Sequence, residues 1–225
     1  KPMNTDTFKT KSGLDVVFTA IKHASMEIKY KNIVFEIDPV STACQPATDY
    51  SKMAKADYII VTHEHQDHFD KVAISDLSKP STVIITNKNC GKEFSKCTMM
   101  ANGDSTRLAD DIMLYAVPAY NTTPGHTQFH PKGRDNGFIL VLDGLRIYIA
   151  GDTEDIPELK QIKDIDVAFL PCNQPFTMTP TQMRNAAKTI RPKVLFPYHY
   201  SDTSPEDMMK ATKGLDIDVR IRDYK

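Results

Sequence analysis

The stretch that most constrains the fold is His63-Glu64-His65-Gln66-Asp67-His68, which places three imidazoles and two acids within six residues. It begins shortly after Tyr58-Ile59-Ile60-Val61, a short run rich in β-branched residues that is typical of a buried strand. The segment 69–74 then has the composition of the start of a helix. The histidines are therefore expected on a strand-to-helix loop, where a rigid scaffold can present side chains to a ligand.

The spacing within this loop predicts metal binding. His63 and His65 project to the same side of an extended chain, so both imidazoles can reach one cation at about 2.0–2.1 Å. Asp67 and His68 follow after a turn and can face a second cation. Because an open catalytic site keeps only about three protein ligands per ion, four ligands from one loop fit two ions better than one.

Length and charge limit the alternatives. A chain of 225 residues suits one large domain, which we expect to span residues 1–225. The net charge of −1 provides no basic field for nucleic acid, and no apolar run approaches the roughly 18 residues that cross a bilayer. The first residue is Lys1, which fits either removal of a signal peptide or a trimmed start, so both the cytoplasm and the periplasm stay open.

The four cysteines suggest no zinc ribbon or redox motif, because none of them forms a C-x-x-C pair. Cys90 and Cys97 are close enough in sequence to be bridged, and free buried thiols are an equal expectation.

Strands and helices alternate along most of the chain. Runs 26–30 and 33–37 are joined by a tight turn, and runs 136–142 and 145–150 by Asp143-Gly144, a strong hairpin signal. Helices are predicted over 181–190 and after Ser204-Pro205, and a closing strand over 217–221.

Candidate ligands follow apolar strands repeatedly: His63 after Val61, Asp152 after Ala150 and His199 after Phe196. This pattern predicts a site at one edge of a layered sheet. Asp38, at the end of an early strand, either supports such a site or simply forms a turn. His23 stands alone and is expected to be a surface or packed histidine.

These elements, in this order and over nearly the whole chain, resemble the metallo-β-lactamase fold superfamily. Segments 117–121, 130–133, 151–157 and 197–200 further resemble a bacterial and archaeal branch of zinc-dependent hydrolases. That branch is related to the ascorbate-phosphate lactonases and, more distantly, to the phospholipase D that cleaves N-acyl phosphatidylethanolamine. The resemblance implies a fold of the α/β (α+β) class, a four-layer αββα sandwich of two mixed β-sheets flanked by helices.

The resemblance also implies a ligand set. His63 and His65 would hold the first ion, Asp67 and His68 the second, Asp152 would bridge both and His199 would complete the second site. The remaining first-site ligand is either His126, in a Gly-His-Thr sequence, or His130, in Phe129-His130-Pro131. We favour His130, because it stands six residues before the strand that begins at Asn136, whereas His126 stands ten before it.

Such a centre predicts a hydrolase that uses a dinuclear metal-activated hydroxide on an ester, lactone or phosphodiester of small size. The expected cofactors are two divalent ions, zinc first, with manganese or iron as alternatives. Asp67 would also orient the attacking water, and Tyr120, Asn121 and Tyr198 are expected to contact substrate. Lys132 and Arg134 either meet an anionic substrate or remain surface charges.

Two other functions stay open. One is a di-iron redox enzyme of the same fold, and the other is a non-catalytic metal-binding module. Serine nucleophiles lack support, because the sequence contains no Gly-x-Ser-x-Gly elbow.

Overall fold

The computed structural model describes residues 4–225, in which two mixed sheets of seven strands each pack together. Strand order in each sheet follows the chain, and each sheet begins antiparallel and ends parallel: β4 to β7 run parallel in the first, and β11 to β14 in the second. The predicted sandwich of two mixed sheets with helices is thus confirmed.

The strands of the first sheet are β1 (Thr5–Lys9), β2 (Asp15–Lys22), β3 (Ser25–Tyr30), β4 (Ile33–Ile37), β5 (Tyr58–Ile60), β6 (Val83–Thr86) and β7 (Thr98–Met99). Those of the second are β8 (Ser105–Ala109), β9 (Ile112–Ala119), β10 (Asp135–Leu142), β11 (Leu145–Ile149), β12 (Val167–Pro171), β13 (Val194–Tyr198) and β14 (Asp218–Val219). The helices are α1 (Lys71–Leu77), α2 (Lys88–Gly91), α3 (Pro180–Ile190) and α4 (Pro205–Ala211).

Helix boundaries follow from side-chain caps. The Asp70 carboxylate accepts the backbone N–H groups of the first turn of α1, which ends the histidine loop at a fixed point. Thr179 and Gln182 form a capping box at the start of α3, with Pro180 in the first turn. Ser204 caps α4. The two helices predicted from Pro180 and Pro205 are therefore present.

Aromatic and aliphatic side chains from both sheets form the main core. Phe18 on β2 lies with its ring centroid 5.6 Å from that of Phe169 on β12, so the two inner faces interdigitate. A smaller cluster packs under α1, including Val61, Ile74 and Leu77. Because Val61 is anchored in this cluster, the loop that follows it starts from a fixed position.

Some predictions differ from the structure. The predicted strand over 217–221 has only two paired residues, since β14 is an edge strand that pairs only with β13 through Asp218 and Val219. Cys44, Cys90, Cys97 and Cys172 are free thiols. Within residues 4–225, no helix is long and apolar enough to cross a membrane.

Candidate metal centre

The predicted ligands meet at one edge of the sandwich. The loop 62–70 follows β5, Asp152 follows β11 and His199 follows β13. Since β11, β12 and β13 run parallel, their carboxyl ends lie side by side, as do those of β4 and β5. This topology brings side chains together that lie more than 130 residues apart in sequence.

The structure sorts eight side chains into two groups that can each hold an ion. In each group the potential ligand atoms lie within 4.8 Å of one another. The first group contains His63, His65, His130 and Asp152, and the second contains His23, Asp67, His68 and His199.

Asp152 belongs to the first group and also contacts two histidines of the second. Its Oδ2 atom is 3.1 Å from Nε2 of His130 and 3.0 Å from Nε2 of His68, and its Oδ1 atom is 3.3 Å from Nε2 of His199. One carboxylate therefore contacts ligands of both groups, as a bridging residue must.

Hydrogen bonds fix the orientation of four buried imidazoles. The Nδ1 atom of His68 lies 2.7 Å from the carboxylate of Asp38, and that of His63 lies 2.9 Å from the hydroxyl of Thr62. Carboxamide oxygens serve the other two: Asn121 for His130, at 2.6 Å, and Asn173 for His199, at 2.8 Å. If each Nδ1 donates its proton outward, each Nε2 is left to face the site with a lone pair. Asp38 was expected either to support a site or only to form a turn, and its contact with His68 fits the supporting role.

Buried atoms without partners show that the cluster fits metal ions. Nε2 of His63, Nε2 of His130 and Oδ1 of Asp152 are buried and make no hydrogen bond of acceptable geometry. Leaving such groups unpaired costs about 1–3 kcal/mol each, and coordination to a cation removes that cost. Imidazole and carboxylate donors are also the set that zinc and iron prefer.

Ionisation within the cluster reflects burial and mutual charge. Burial, together with the charge of His68, lowers the pKa of His63 to about 3, which keeps this imidazole neutral. Burial opposes protonation of His199, yet Asp152 outweighs it and raises the pKa of His199 to about 9. Burial also disfavours ionisation of Asp152, but His199 and His68 hold its pKa well below the usual range. The carboxylate is thus ionised at neutral pH.

His23 belongs to the second candidate group, although the sequence analysis did not place it there. It lies on the turn between β2 and β3 with a positive φ of 52°, and its Nε2 is 2.8 Å from Oδ2 of Asp67. Its ring centroid is 3.7 Å from that of His199. The position after the end of β2 was the available signal, since the other ligands also follow strands.

Of the two competing histidines, His130 belongs to the cluster and His126 does not. His130 is buried with Nε2 facing Asp152, whereas the partly exposed His126 ring lies near Phe129, with 6.0 Å between their ring centroids. The sequence criterion, a shorter separation from the strand that begins at Asn136, thus selected the histidine that the structure places in the first group.

The three residues predicted to contact substrate have other partners. Tyr198 is buried in the core, where its hydroxyl accepts the backbone N–H of Gly151. The Tyr120 hydroxyl donates to Glu158, and Asn121 supports His130. None of the three lines the cavity described below. Their contact with substrate therefore stays a prediction, since Tyr198 packs in the core and the Asn121 oxygen lies against His130.

A cavity of about 330 Å³ opens onto both ligand groups. It is lined by His23, His65, Asp67, Phe129, His130, Asp152, Asn173, Phe176, His199 and Ser201. Asp67 is the more accessible of the two carboxylates, with 36% of its side chain exposed against 2% for Asp152. A small molecule in this cavity would contact the metal ligands directly.

Comparisons with known proteins identify the family of this chain. A family model described as the beta-lactamase superfamily domain matches residues 12–199. The chain is 32% identical to a UPF0173 metal-dependent hydrolase of Archaeoglobus fulgidus, over 82% of this chain and 87% of that protein. It is 49% identical to a candidate metal-dependent hydrolase from Parabacteroides distasonis, whose crystal structure matches with a TM-score of 0.94 over 100% of both chains.

A more distant solved structure supports the fold alone. It is Igni18, a metallo hydrolase from Ignicoccus hospitalis, with a TM-score of 0.77 and 23% identity over 93% of this chain and 95% of that one.

Proposed function

This chain belongs to the metallo-β-lactamase superfamily and is a metal-dependent hydrolase, and we propose that it uses two divalent ions. Its substrate would be an ester, lactone or phosphodiester. His63, His65 and His130 would hold the first ion; Asp67, His68 and His199 the second; and Asp152 would bridge them. The chain would act as one catalytic domain, since both sheets supply ligands.

The observation that carries this proposal is the contact of Asp152 with both ligand groups. A single ion would leave one group of buried, oriented imidazoles without a function, and unpaired buried groups are costly. When bound, two such ions lower the pKa of a water toward neutrality and stabilise the oxygen on which charge develops.

Asp67 has the position of a water-orienting carboxylate. Its side chain lines the cavity, and one oxygen, Oδ2, makes the contacts with His23 and His199. The other oxygen is then available to accept a hydrogen bond from a water in the cavity and so to orient it. His23 would hold Asp67 in place by donating from Nε2.

Zinc is the metal we propose. The cluster offers more imidazole nitrogens than carboxylate oxygens, and zinc favours such nitrogen-rich sets, whereas magnesium and calcium favour oxygen. Iron and manganese are the alternatives that metal analysis would identify.

The test combines metal analysis with a hydrolase screen on protein reconstituted with zinc or manganese. We expect two metal equivalents in the unaltered protein, and loss of metal and activity in His63→Ala and Asp152→Ala. His126→Ala is the matched control, because His126 lies in the same loop as His130 but outside both groups.

Full metal content and full activity in both variants would contradict the assignment. Tightly bound iron with redox activity would instead support the di-iron enzyme, and bound metal without any hydrolysis would support a binding module.

A further inference from the structure

One wall of the metal cavity is aromatic. Phe129 and Phe176 line it beside His65 and His130, with their ring centroids 4.8 Å apart in an edge-to-face arrangement. Phe176 is 42% exposed, and together with Phe129 it gives the cavity a contiguous apolar patch. An exposed apolar surface next to a reaction site indicates a binding role.

The same network that holds the metal ligands also fixes this wall. The Asn121 side chain accepts from His130 through Oδ1 and donates through Nδ2 to the backbone carbonyl of Phe176, at 2.9 Å. Arg134 donates to the backbone carbonyl of Phe129, at 3.1 Å. The backbone at both residues is therefore held in place relative to the candidate ligands, which favours a preorganised binding surface.

The residues described as lining the cavity include no lysine or arginine. Apart from the histidines and acids they are Phe129, Asn173, Phe176 and Ser201. Arg134 lies beside this lining, 3.3 Å from Nε2 of His65, but its guanidinium is held by both oxygens of Asp135, at 2.6 and 3.0 Å. Lys132 is exposed, with its amine over the Tyr120 ring. A phosphate or carboxylate group away from the metal centre would thus find no lysine or arginine in this lining.

We infer that the substrate is an uncharged ester or lactone whose apolar group packs against Phe129 and Phe176. This inference rests on the proposed hydrolase function. Water adds across the acyl–oxygen bond, which breaks to give a carboxylate, a hydroxyl group and a proton, so no further reactant is required. Anionic substrates are disfavoured because the described cavity lining includes neither Lys132 nor Arg134, and Asp135 holds the Arg134 guanidinium.

The test compares four 4-nitrophenyl substrates on the metal-loaded full chain: the acetate, the butyrate, the hemisuccinate and bis(4-nitrophenyl) phosphate. Burial of each added CH2 group is worth about fourfold in binding, so kcat/KM should rise about 15-fold from acetate to butyrate. The hemisuccinate resembles the butyrate in length but carries a carboxylate, and we expect its kcat/KM to fall at least about tenfold below that of the butyrate.

Variants locate the selectivity. Phe176→Ala should remove most of the gain from acetate to butyrate, mainly by raising KM, without changing metal content. Phe176→Leu should retain most of the gain, because an apolar wall remains. Met209→Ala is the matched control, since Met209 is a similarly exposed apolar side chain on α4, outside the cavity lining.

Preference for the hemisuccinate or the phosphodiester, or an unchanged chain-length dependence in Phe176→Ala, would overturn the inference while leaving the hydrolase function intact. Failure of the metal-loaded protein to hydrolyse any of the four substrates would overturn both.

Discussion

Replacing Glu154 with Gln should weaken metal binding although Glu154 touches neither ligand group. Glu154 is buried, and its Oε2 atom accepts from Asn121 Nδ2 at 2.9 Å and from the backbone N–H groups of Thr122 and Thr123 at 3.0 and 3.1 Å. Its Oε1 atom accepts from Gln182 at 2.8 Å. These bonds turn the Asn121 oxygen toward His130.

The magnitude follows from what Gln cannot do. In Glu154→Gln, one carboxylate oxygen becomes an NH2 group that faces other hydrogen-bond donors. The hydrogen bonds to the remaining oxygen are then made to a neutral acceptor instead of a charged one. Hydrogen bonds to charged groups contribute about 1.5–3 kcal/mol each, against about 1 for neutral ones, so we expect a loss of about 2–3 kcal/mol in the free energy of unfolding. Residues that orient metal-binding histidines typically change metal affinity by about 10–100-fold, and we expect a zinc dissociation constant raised within that range.

The assay is a competitive zinc titration against a chromogenic chelator, together with urea unfolding of the metal-free protein. Glu158→Gln is the control, because Glu158 accepts from Tyr120 in the same segment but makes no contact with Asn121 or His130. A zinc affinity of Glu154→Gln equal to that of Glu158→Gln would refute the proposed role of this hydrogen-bond relay.

Two further predictions concern stability. Burial, followed by the neighbouring Glu27, raises the pKa of Glu36 from 4.5 to about 10, so the folded state keeps this proton while the unfolded state releases it. As pH rises from the unfolded-state pKa of Glu36 toward 10, this group therefore lowers the free energy of unfolding by about 1.4 kcal/mol per pH unit. Glu36→Gln should remove that slope in urea unfolding measured between about pH 5 and 8. Identical slopes in the variant and the unaltered protein would contradict this prediction. Lys22→Met should cost about 3 kcal/mol or more in the same assay, because the buried Lys22 ammonium donates to three backbone carbonyls, of Ser41, Cys44 and Pro46.

Much of the site could be predicted because its ligands follow strands whose composition is unambiguous. The β-branched run before His63 and the hairpin before Asp152 fixed where those side chains stand, and parallel strands carried them to one edge. Seven of the eight residues in the two candidate groups were therefore identifiable before their contacts were known.

His23, Glu154 and Tyr198 could not be assigned in this way. His23 acquires its role only from Asp67, which lies 44 residues away and is brought close by the order of the strands. The role proposed for Glu154 depends on loop hydrogen bonds, which leave no periodic signal in the sequence. Tyr198 adjoins a ligand in sequence, yet alternation along β13 directs it into the core.

The central claim is that this chain holds two ions through two groups that share Asp152. Crystals grown with excess zinc, measured at the zinc absorption edge, test it most directly. We predict two anomalous peaks per chain, one among His63, His65 and His130 and the other among Asp67, His68 and His199, with Asp152 between them. A single peak, or peaks outside these groups, would contradict the account.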